Sequence, residues 1–126
     1  MTDDQRKELV GVDQRLIDPM IDALFDAILL LKNREECYRF FQDIATVSEI
    51  KALAQRLEVA KLLEKNITYT TIAQTTGAST ATISRVKRCL HFGADGYKLI
   101  LKRLAEQEET TEDKEAVSTK DEGKED

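Results

Sequence analysis

The sequence predicts an all-α domain, and three observations favour that class. Helix breakers are scarce, because one proline and five glycines interrupt 126 residues. Leucine, isoleucine, alanine, glutamate and lysine are abundant, and apolar residues recur at the three- and four-residue spacing of a helix with one buried face. We therefore expect a helical domain at residues 15–105, between a flexible lead-in at residues 1–14 and a disordered acidic tail at residues 106–126.

Two helices are predicted in the N-terminal third of the chain. The first begins at Asp18-Pro19, because aspartate is a favourable N-cap and proline costs nothing at the first helical position. It carries a wide apolar stripe within residues 20–31. The second runs from about Arg34 to Ala45, and its inward positions are Cys37, Phe40, Phe41 and Ile44.

The stripe within residues 20–31 also bears on assembly. A monomer that left it uncovered would expose a large apolar patch, which soluble monomers rarely do. Dimerisation through the N-terminal helices would cover the patch. The alternative is a monomeric bundle that buries the same stripe internally.

Four more helices are predicted after residue 46. The third starts behind a Ser48 cap and ends near Lys65, with Ile50, Leu53, Leu57, Ala60 and Leu62 or Leu63 on its inner face. Two shorter helices, near Tyr69–Thr76 and Thr80–Phe92, are joined by a turn at Gly77. The last helix covers about Asp95–Leu104. The acidic segment that follows is too poor in apolar residues to offset its ordering entropy, which predicts disorder.

The fourth and fifth helices have the spacing of a helix-turn-helix. That motif needs two helices at a steep angle, joined by a short turn that often contains glycine. Gly77 suits a left-handed turn conformation, and Ala73 is small enough for a close crossing. Three apolar residues point towards the core: Ile72, Ile83 and Val86.

These core positions define the remaining side of the fifth helix, which we call the outer face: Ser79, Thr80, Ala81, Thr82, Ser84, Arg85, Lys87 and Arg88. Ser79 is placed to cap the helix, and the short side chains of the first turn can approach base edges in duplex DNA. Arg85, Lys87 and Arg88 are suited to phosphates. The alternative is a structural hairpin with a solvated polar face. RNA binding is less favoured, because no aromatic or glycine-rich stacking surface is evident.

The charge distribution also favours a polyanionic partner. The net charge is −5, but ten acids and three lysines give residues 106–126 a charge of −7. Residues 1–46 carry −4, whereas residues 47–105 carry four acids, ten bases and a charge of +6. The positive charge therefore lies in the part that contains the predicted helix-turn-helix.

Other site classes have little support in the sequence. His91 is the single histidine, and Cys37 and Cys89 are too few and too far apart for a zinc site, so no metal is predicted. The cysteines are typical of reduced packing residues. No catalytic motif occurs, so we do not expect an enzyme. The sequence contains no signal-peptide pattern and no apolar run of about 20 residues, which predicts a cytoplasmic protein without a membrane partner.

The segment "SEIKALAQRLEVAKLLEKNITYTTIAQTTGASTATISRVKRCL" resembles the DNA-binding half of the Trp repressor, and more closely the YerC/YecD group of Trp-repressor-related proteins. The likeness covers about Ala45–Leu104, and "TGASTATISRVKRCL" is its most specific part. It implies a six-helix fold, an intertwined homodimer, and two recognition helices that meet half-sites one turn apart on double-stranded DNA. It also implies base-proximal roles for Thr80, Ala81, Thr82 and Ser84, with Thr70 near the DNA.

The resemblance further implies a candidate ligand site. Arg56 and Arg85 match the arginines that enclose tryptophan in the repressor, and Thr46 matches a threonine that contacts it. However, Val86 stands where the repressor has glycine, and Cys89 replaces a serine. Overpacking of this kind costs about 1–3 kcal/mol, so we expect L-tryptophan to bind weakly or not at all, and we predict no cofactor. Alternatively, Arg56 and Arg85 serve phosphates or pair with an acid such as Glu49.

Together these observations predict a sequence-specific regulator of transcription, a repressor by resemblance, that acts as a homodimer on duplex DNA. The alternative is a helical adaptor in which residues 20–31 engage another protein and the hairpin is structural.

Overall fold

The computed structural model describes the backbone of residues 9–123 and the side chains of residues 9–111, and the described chain is helical with no strand. A 3-10 helix at Gln14–Leu16 precedes six α-helices: α1 (Pro19–Leu29), α2 (Arg34–Ile44), α3 (Val47–Glu64), α4 (Tyr69–Thr76), α5 (Thr80–Phe92) and α6 (Gly96–Gly123). The six-helix, all-α prediction is confirmed. Most of the lead-in predicted to be flexible lies outside the described residues.

Local side-chain caps set the starts of the helices. Asp18 accepts hydrogen bonds from the backbone N–H groups of Met20 and Ile21 ahead of Pro19, as the sequence predicts. The Ser48 cap predicted for α3 is wrong, because Thr46 caps this helix in a reciprocal capping box with Glu49. Ser48 lies two residues past the cap position, already within the first helical turn.

The core of the described residues belongs to the second half of the chain. Its fully buried members come from α3, the α4–α5 hairpin and α6: Val59, Ala60, Ile72, Ala78, Ile83, Val86, Leu90 and Leu101. Partly buried residues such as Leu57 and Tyr97 pack around this cluster. The core therefore joins α3 to the hairpin and to the start of α6, and it holds the hairpin on a helical base.

Helices α1 and α2 contribute no buried residue to this core. Met20 is 82% exposed and Leu29 is 81% exposed, although both belong to the apolar stripe of α1. In α2 the predicted inward residue Ile44 is 54% exposed, while Phe40 and Phe41 are half-buried and pack edge to face with their ring centroids 5.6 Å apart. A single chain thus leaves a broad apolar surface uncovered at its N-terminal helices.

The inner face of α3 differs from the prediction in two positions. Leu53, predicted inward, is 53% exposed, whereas Val59, outside the predicted stripe, is completely buried. The reason is that α3 packs against α4, α5 and α6, so that its C-terminal half is covered on more than one side. Leu53 lies nearer the end of α3 that adjoins α2.

The predicted end of the last helix, near Leu104, is also wrong, because α6 continues to Gly123. Residues 106–123 thereby have a helical backbone where composition predicts disorder. Glutamate, glutamine, lysine and alanine are good helix formers, and a helix that is already nucleated propagates through them without needing a core. Residues 124–126 lie outside the described residues. None of the helices described is long and apolar enough to cross a membrane.

Candidate nucleic-acid interface

The α4–α5 hairpin turns at Gly77, which has the left-handed φ of +73° that the sequence predicts. Its N–H donates to the Ala73 carbonyl oxygen at 2.9 Å. The Thr76 hydroxyl donates to the Ile72 carbonyl oxygen at 2.7 Å and accepts from the Ala78 N–H at 3.1 Å. The turn is therefore closed by hydrogen bonds from both backbone and side chain, and α5 begins four residues after α4 ends.

The inner side of α5 is anchored as predicted. Ile83 is 1% exposed, Val86 is 2% exposed and Leu90 is 6% exposed, all within the core cluster. Ile72 of α4 is completely buried beneath them. Because these residues fix the rotation of α5, its outer face points away from the core.

The first turn of the outer face consists of small side chains. Ser79 caps α5: its hydroxyl accepts from the Thr82 N–H at 3.1 Å and donates to the Thr82 hydroxyl at 3.0 Å. Thr82 is half-buried, while Thr80, Ala81 and Ser84 are exposed. Among the predicted base-proximal residues, the Thr82 hydroxyl forms a hydrogen bond with another described side chain, that of Ser79.

The basic residues of the outer face lie farther along α5. Arg85, Lys87 and Arg88 are exposed, and no acidic side chain in residues 9–111 forms an ion pair with Arg85 or Arg88. Unpaired guanidinium groups on an exposed helix face are available to phosphates. The Lys87 ammonium instead lies over the Tyr69 ring, 5.4 Å from its centroid, in a cation–π contact.

Beside this contact is an open groove of about 510 Å³. Its lining comes from the end of α3, the start of α4, the back half of α5 and α6: Leu63, Glu64, Asn66, Ile67, Tyr69, Lys87, Leu90, His91 and Lys98. Thr70, the residue of α4 that the family resemblance places near DNA, is exposed next to Tyr69. The groove thus extends the polar surface of the hairpin towards α6.

One of the candidate ligand residues, Thr46, forms hydrogen bonds within the chain. The Thr46 hydroxyl donates to a Glu49 carboxylate oxygen at 2.8 Å, and the Glu49 N–H donates back to it at 3.2 Å. The Thr46 hydroxyl and the Thr46 N–H both donate to the Glu49 carboxylate, and these two hydrogen bonds lower the pKa of Glu49. Glu49 is therefore engaged with Thr46, and no ion pair joins it to Arg56 or Arg85 among the described residues.

Tyr97 belongs to the surroundings of the other candidate ligand residues. Burial raises the pKa of Tyr97, as does Cys89, while the positive charges of Arg56 and Arg85 act on the same hydroxyl in the opposite direction. The phenol therefore lies within the field of both arginines. A shallow, mainly apolar pocket of about 390 Å³ adjoins it, lined by Leu57, Cys89, Gly93, Ala94, Gly96, Tyr97 and Ile100. Val86 is buried in the core, whereas Cys89 is exposed.

Sequence reasoning missed the parts played by Tyr69 and Tyr97. The sequence predicts them only as apolar or helix-starting residues, because nothing local in it places Tyr69 under Lys87 or Tyr97 within the electrostatic field of Arg56. The available signal was weak: a tyrosine at the start of α4, and a tyrosine four residues after the glycine that ends α5. Within the described residues, no group of three or more histidine, cysteine or carboxylate side chains could hold a metal ion.

Comparison with known proteins gives a consistent result. The family model described as Trp repressor protein matches residues 20–105. YerC of Bacillus subtilis (strain 168), itself uncharacterized, is 59% identical over 88 residues, which are 70% of this chain and 85% of that protein.

Two solved structures are also similar. A crystal structure of a Trp-repressor-type protein from Staphylococcus aureus has a TM-score of 0.71 at 58% identity, over 73% of this chain and 92% of that one. A TrpR-like protein from Eubacterium eligens ATCC 27750 has a TM-score of 0.72 at 50% identity, over 74% of this chain and 96% of that one.

Proposed function

The chain belongs to the Trp repressor family, and from that premise we propose that it is a regulator of transcription that binds specific sites in duplex DNA through the α4–α5 helix-turn-helix. The observation that carries the proposal is the outer face of α5. It combines small exposed residues in the first turn with Arg85 and Arg88 free of ion pairs among the described side chains. Such a helix can enter a major groove, read base edges with its first turn and hold phosphates with its later turns.

The proposal assigns a role to each predicted residue of the site. Thr80, Ala81 and Ser84 meet base edges directly, because their short side chains are exposed at the leading end of α5. Ser79 and Thr82 fix that end, and Thr70 lies near the backbone of the DNA. Arg85 and Arg88 contact phosphates, and Lys87 does so only after leaving the Tyr69 ring. The protein acts in the cytoplasm, as a binding protein without enzymatic activity.

We also propose that the protein is a homodimer. Supporting evidence is the apolar surface of α1 and α2, where residues such as Met20 and Leu29 are more than four-fifths exposed while no core residue comes from these helices. A surface of this kind is typical of an obligate interface. Pairing two chains through it would give two copies of α5, which suits a DNA site with two related halves.

Salt-dependent retention on duplex DNA tests the proposal. Removing one side chain that neutralises a phosphate reduces the slope of log K against log salt by about one. The double variant Arg85→Ala, Arg88→Ala should therefore bind more weakly, with a slope smaller by about two. The matched control is Lys102→Ala, Arg103→Ala on α6, which removes the same charge from exposed positions outside the outer face.

The control should retain most of the affinity and slope of the original protein. Equal losses in both variants would show that net charge alone governs retention. Binding that is unchanged in both variants would contradict the proposal and favour the helical adaptor, in which α1 engages another protein. Circular dichroism of all the variants confirms that the helices remain folded.

A further inference from the structure

One side-chain hydrogen bond connects the base of the fold to the turn of the hairpin. The Gln55 side-chain amide, on α3, donates to the Thr76 carbonyl oxygen at 3.1 Å, across a separation of 21 residues. Gln55 is half-buried, and a Cβ atom built on Gly77 would lie 3.9 Å from its Nε2. The Gln55 amide thus contacts the turn between α4 and α5 at Thr76, next to Gly77.

The other hydrogen bonds of the turn are local. Those made by the Thr76 hydroxyl reach Ile72 and Ala78, and the Gly77 N–H reaches Ala73, so all of them remain within the hairpin. They preserve the shape of the turn, but they cannot fix its position relative to α3. Below the turn, Ile72 and Ile83 are held by apolar packing, which is non-directional. The Gln55 bond supplies a directional link between the turn and α3.

We infer that Gln55 is a positioning residue for α5: it holds the Thr76 carbonyl and so fixes the leading end of the outer face for base recognition. This inference rests on the proposed function. The affected end is the one that carries Thr80 and Ala81, whereas Arg85 and Arg88 lie one to two turns farther along. Loss of the bond should accordingly disturb base recognition more than phosphate binding.

The test compares Gln55→Met with the original protein. Methionine has a similar length but no amide donor, so the packing against the core is largely preserved while the hydrogen bond is removed. A net hydrogen-bond contribution of the usual size corresponds to roughly a fivefold effect. The ratio of affinities for a selected duplex and a random duplex should fall roughly fivefold, while affinity for random DNA and its salt slope stay unchanged. The matched control is Gln107→Met, at an exposed position on α6.

A merely structural role gives a different pattern. In that case affinity for selected and random duplexes would fall together, in proportion to the decrease in folded protein measured by thermal unfolding, and this outcome overturns the inference. Gln55→Glu provides a second variant, because a carboxylate has the same shape but faces a carbonyl oxygen without a proton to donate. Gln55→Glu should reduce the ratio of affinities for selected and random duplexes at least as much as Gln55→Met does. If both variants keep the ratio of the unsubstituted protein, the inference is overturned.

Amide hydrogen exchange separates this inference from the proposed function. The Gly77 and Ala78 amides should exchange roughly fivefold faster in Gln55→Met, because the turn opens more often when it is no longer tied to α3. If the unsubstituted protein binds all duplexes equally well, the proposed function is contradicted. Faster exchange of the Gly77 and Ala78 amides in Gln55→Met would still support the positioning role of Gln55 in that case. Equal exchange in the variant and the original protein overturns it.

Discussion

At Gly77 the chain leaves α4 with a φ of +73°, a conformation that other residue types adopt only at a cost. Space does not impose the glycine, because the nearest atom to an added Cβ is Nε2 of Gln55 at 3.9 Å, an ordinary van der Waals distance. Glycine is required at position 77 only because of its positive backbone φ. Gly93 is different: there a Cβ would overlap the Cys89 carbonyl oxygen, so the end of α5 needs glycine for lack of space.

Replacement of Gly77 by alanine should therefore lower the free energy of unfolding by about 1 kcal/mol or slightly more, the cost of a left-handed conformation for an L-residue. The matched change is Gly96→Ala, at the start of α6, where φ is not positive and nothing lies within 4 Å of the added Cβ. That variant should be neutral or stabilised by up to about 1 kcal/mol. Chemical denaturation of both measures the difference, and equal stabilities would contradict this account of the turn.

The candidate ligand residues show how single side chains change what a family site can do. Val86 is part of the core, the Thr46 hydroxyl is engaged in a capping box, and Tyr97 lies within the field of Arg56 and Arg85. The capping box leaves the Thr46 hydroxyl less hydrogen-bonding capacity for a bound amino acid. Weak or absent binding of L-tryptophan remains a prediction from the sequence.

At the scale of elements, the start of α5 combines a structural and a functional requirement. Ser79 caps the helix through the Thr82 N–H, and it lies at the end that the proposal directs into the groove. Aspartate caps helices as well as serine does, and its charge is favourable at a helix N-terminus. Beside a phosphate backbone the same charge is repelled.

Ser79→Asp should consequently leave thermal stability equal or higher while weakening DNA binding by roughly tenfold, the effect of about 1.4 kcal/mol of charge repulsion. Ser79→Asn keeps the cap without the charge and serves as the control, with affinity close to that of the original protein. Melting temperatures and titrations with duplex DNA provide the two readouts. If Ser79→Asp binds duplex DNA as tightly as the unsubstituted protein, the first turn of α5 does not contact the DNA.

Local chemistry explains which elements could be predicted from the sequence. The Asp18-Pro19 start of α1, the Gly77 turn and the Ser79 cap depend on residues within four positions of one another, and all three are confirmed. The inward positions Ile72, Ile83 and Val86 follow from helical spacing and are confirmed too. The Ser48 cap is wrong because Thr46, Val47 and Ser48 offer two capping hydroxyls close together, and only the reciprocal bond with Glu49 decides between them.

Interactions between distant parts of the chain could not be predicted in this way. The burial of Val59 depends on three other helices, and the Gln55–Thr76 bond joins residues 21 positions apart. Placement of Tyr97 near Arg56 and Arg85 requires the packing of α6 against α3 and α5. The length of α6 was missed for the opposite reason, because good local helix formers outweighed the lack of apolar residues.

At the scale of the whole molecule, apolar surface and charge are separated along the chain. Helices α1 and α2 expose apolar residues and have no share in the core, while the core-forming helices α3, α4 and α5 and the start of α6 belong to the segment with a charge of +6. Such a division suits a protein that pairs through its N-terminal helices and presents positive surfaces to a polyanion. Neither part of the proposal is complete without the other, because one copy of α5 would read only half of a symmetric site.

Selection of bound duplexes from a random pool, followed by footprinting on the enriched sequence, tests whether the protein binds DNA as a homodimer through α5. We expect two related half-sites whose centres lie about 10 base pairs apart, with protection on one side of the duplex. Arg85→Ala, Arg88→Ala should weaken both halves equally. Enrichment of no sequence, or protection of a single asymmetric site, would contradict the account.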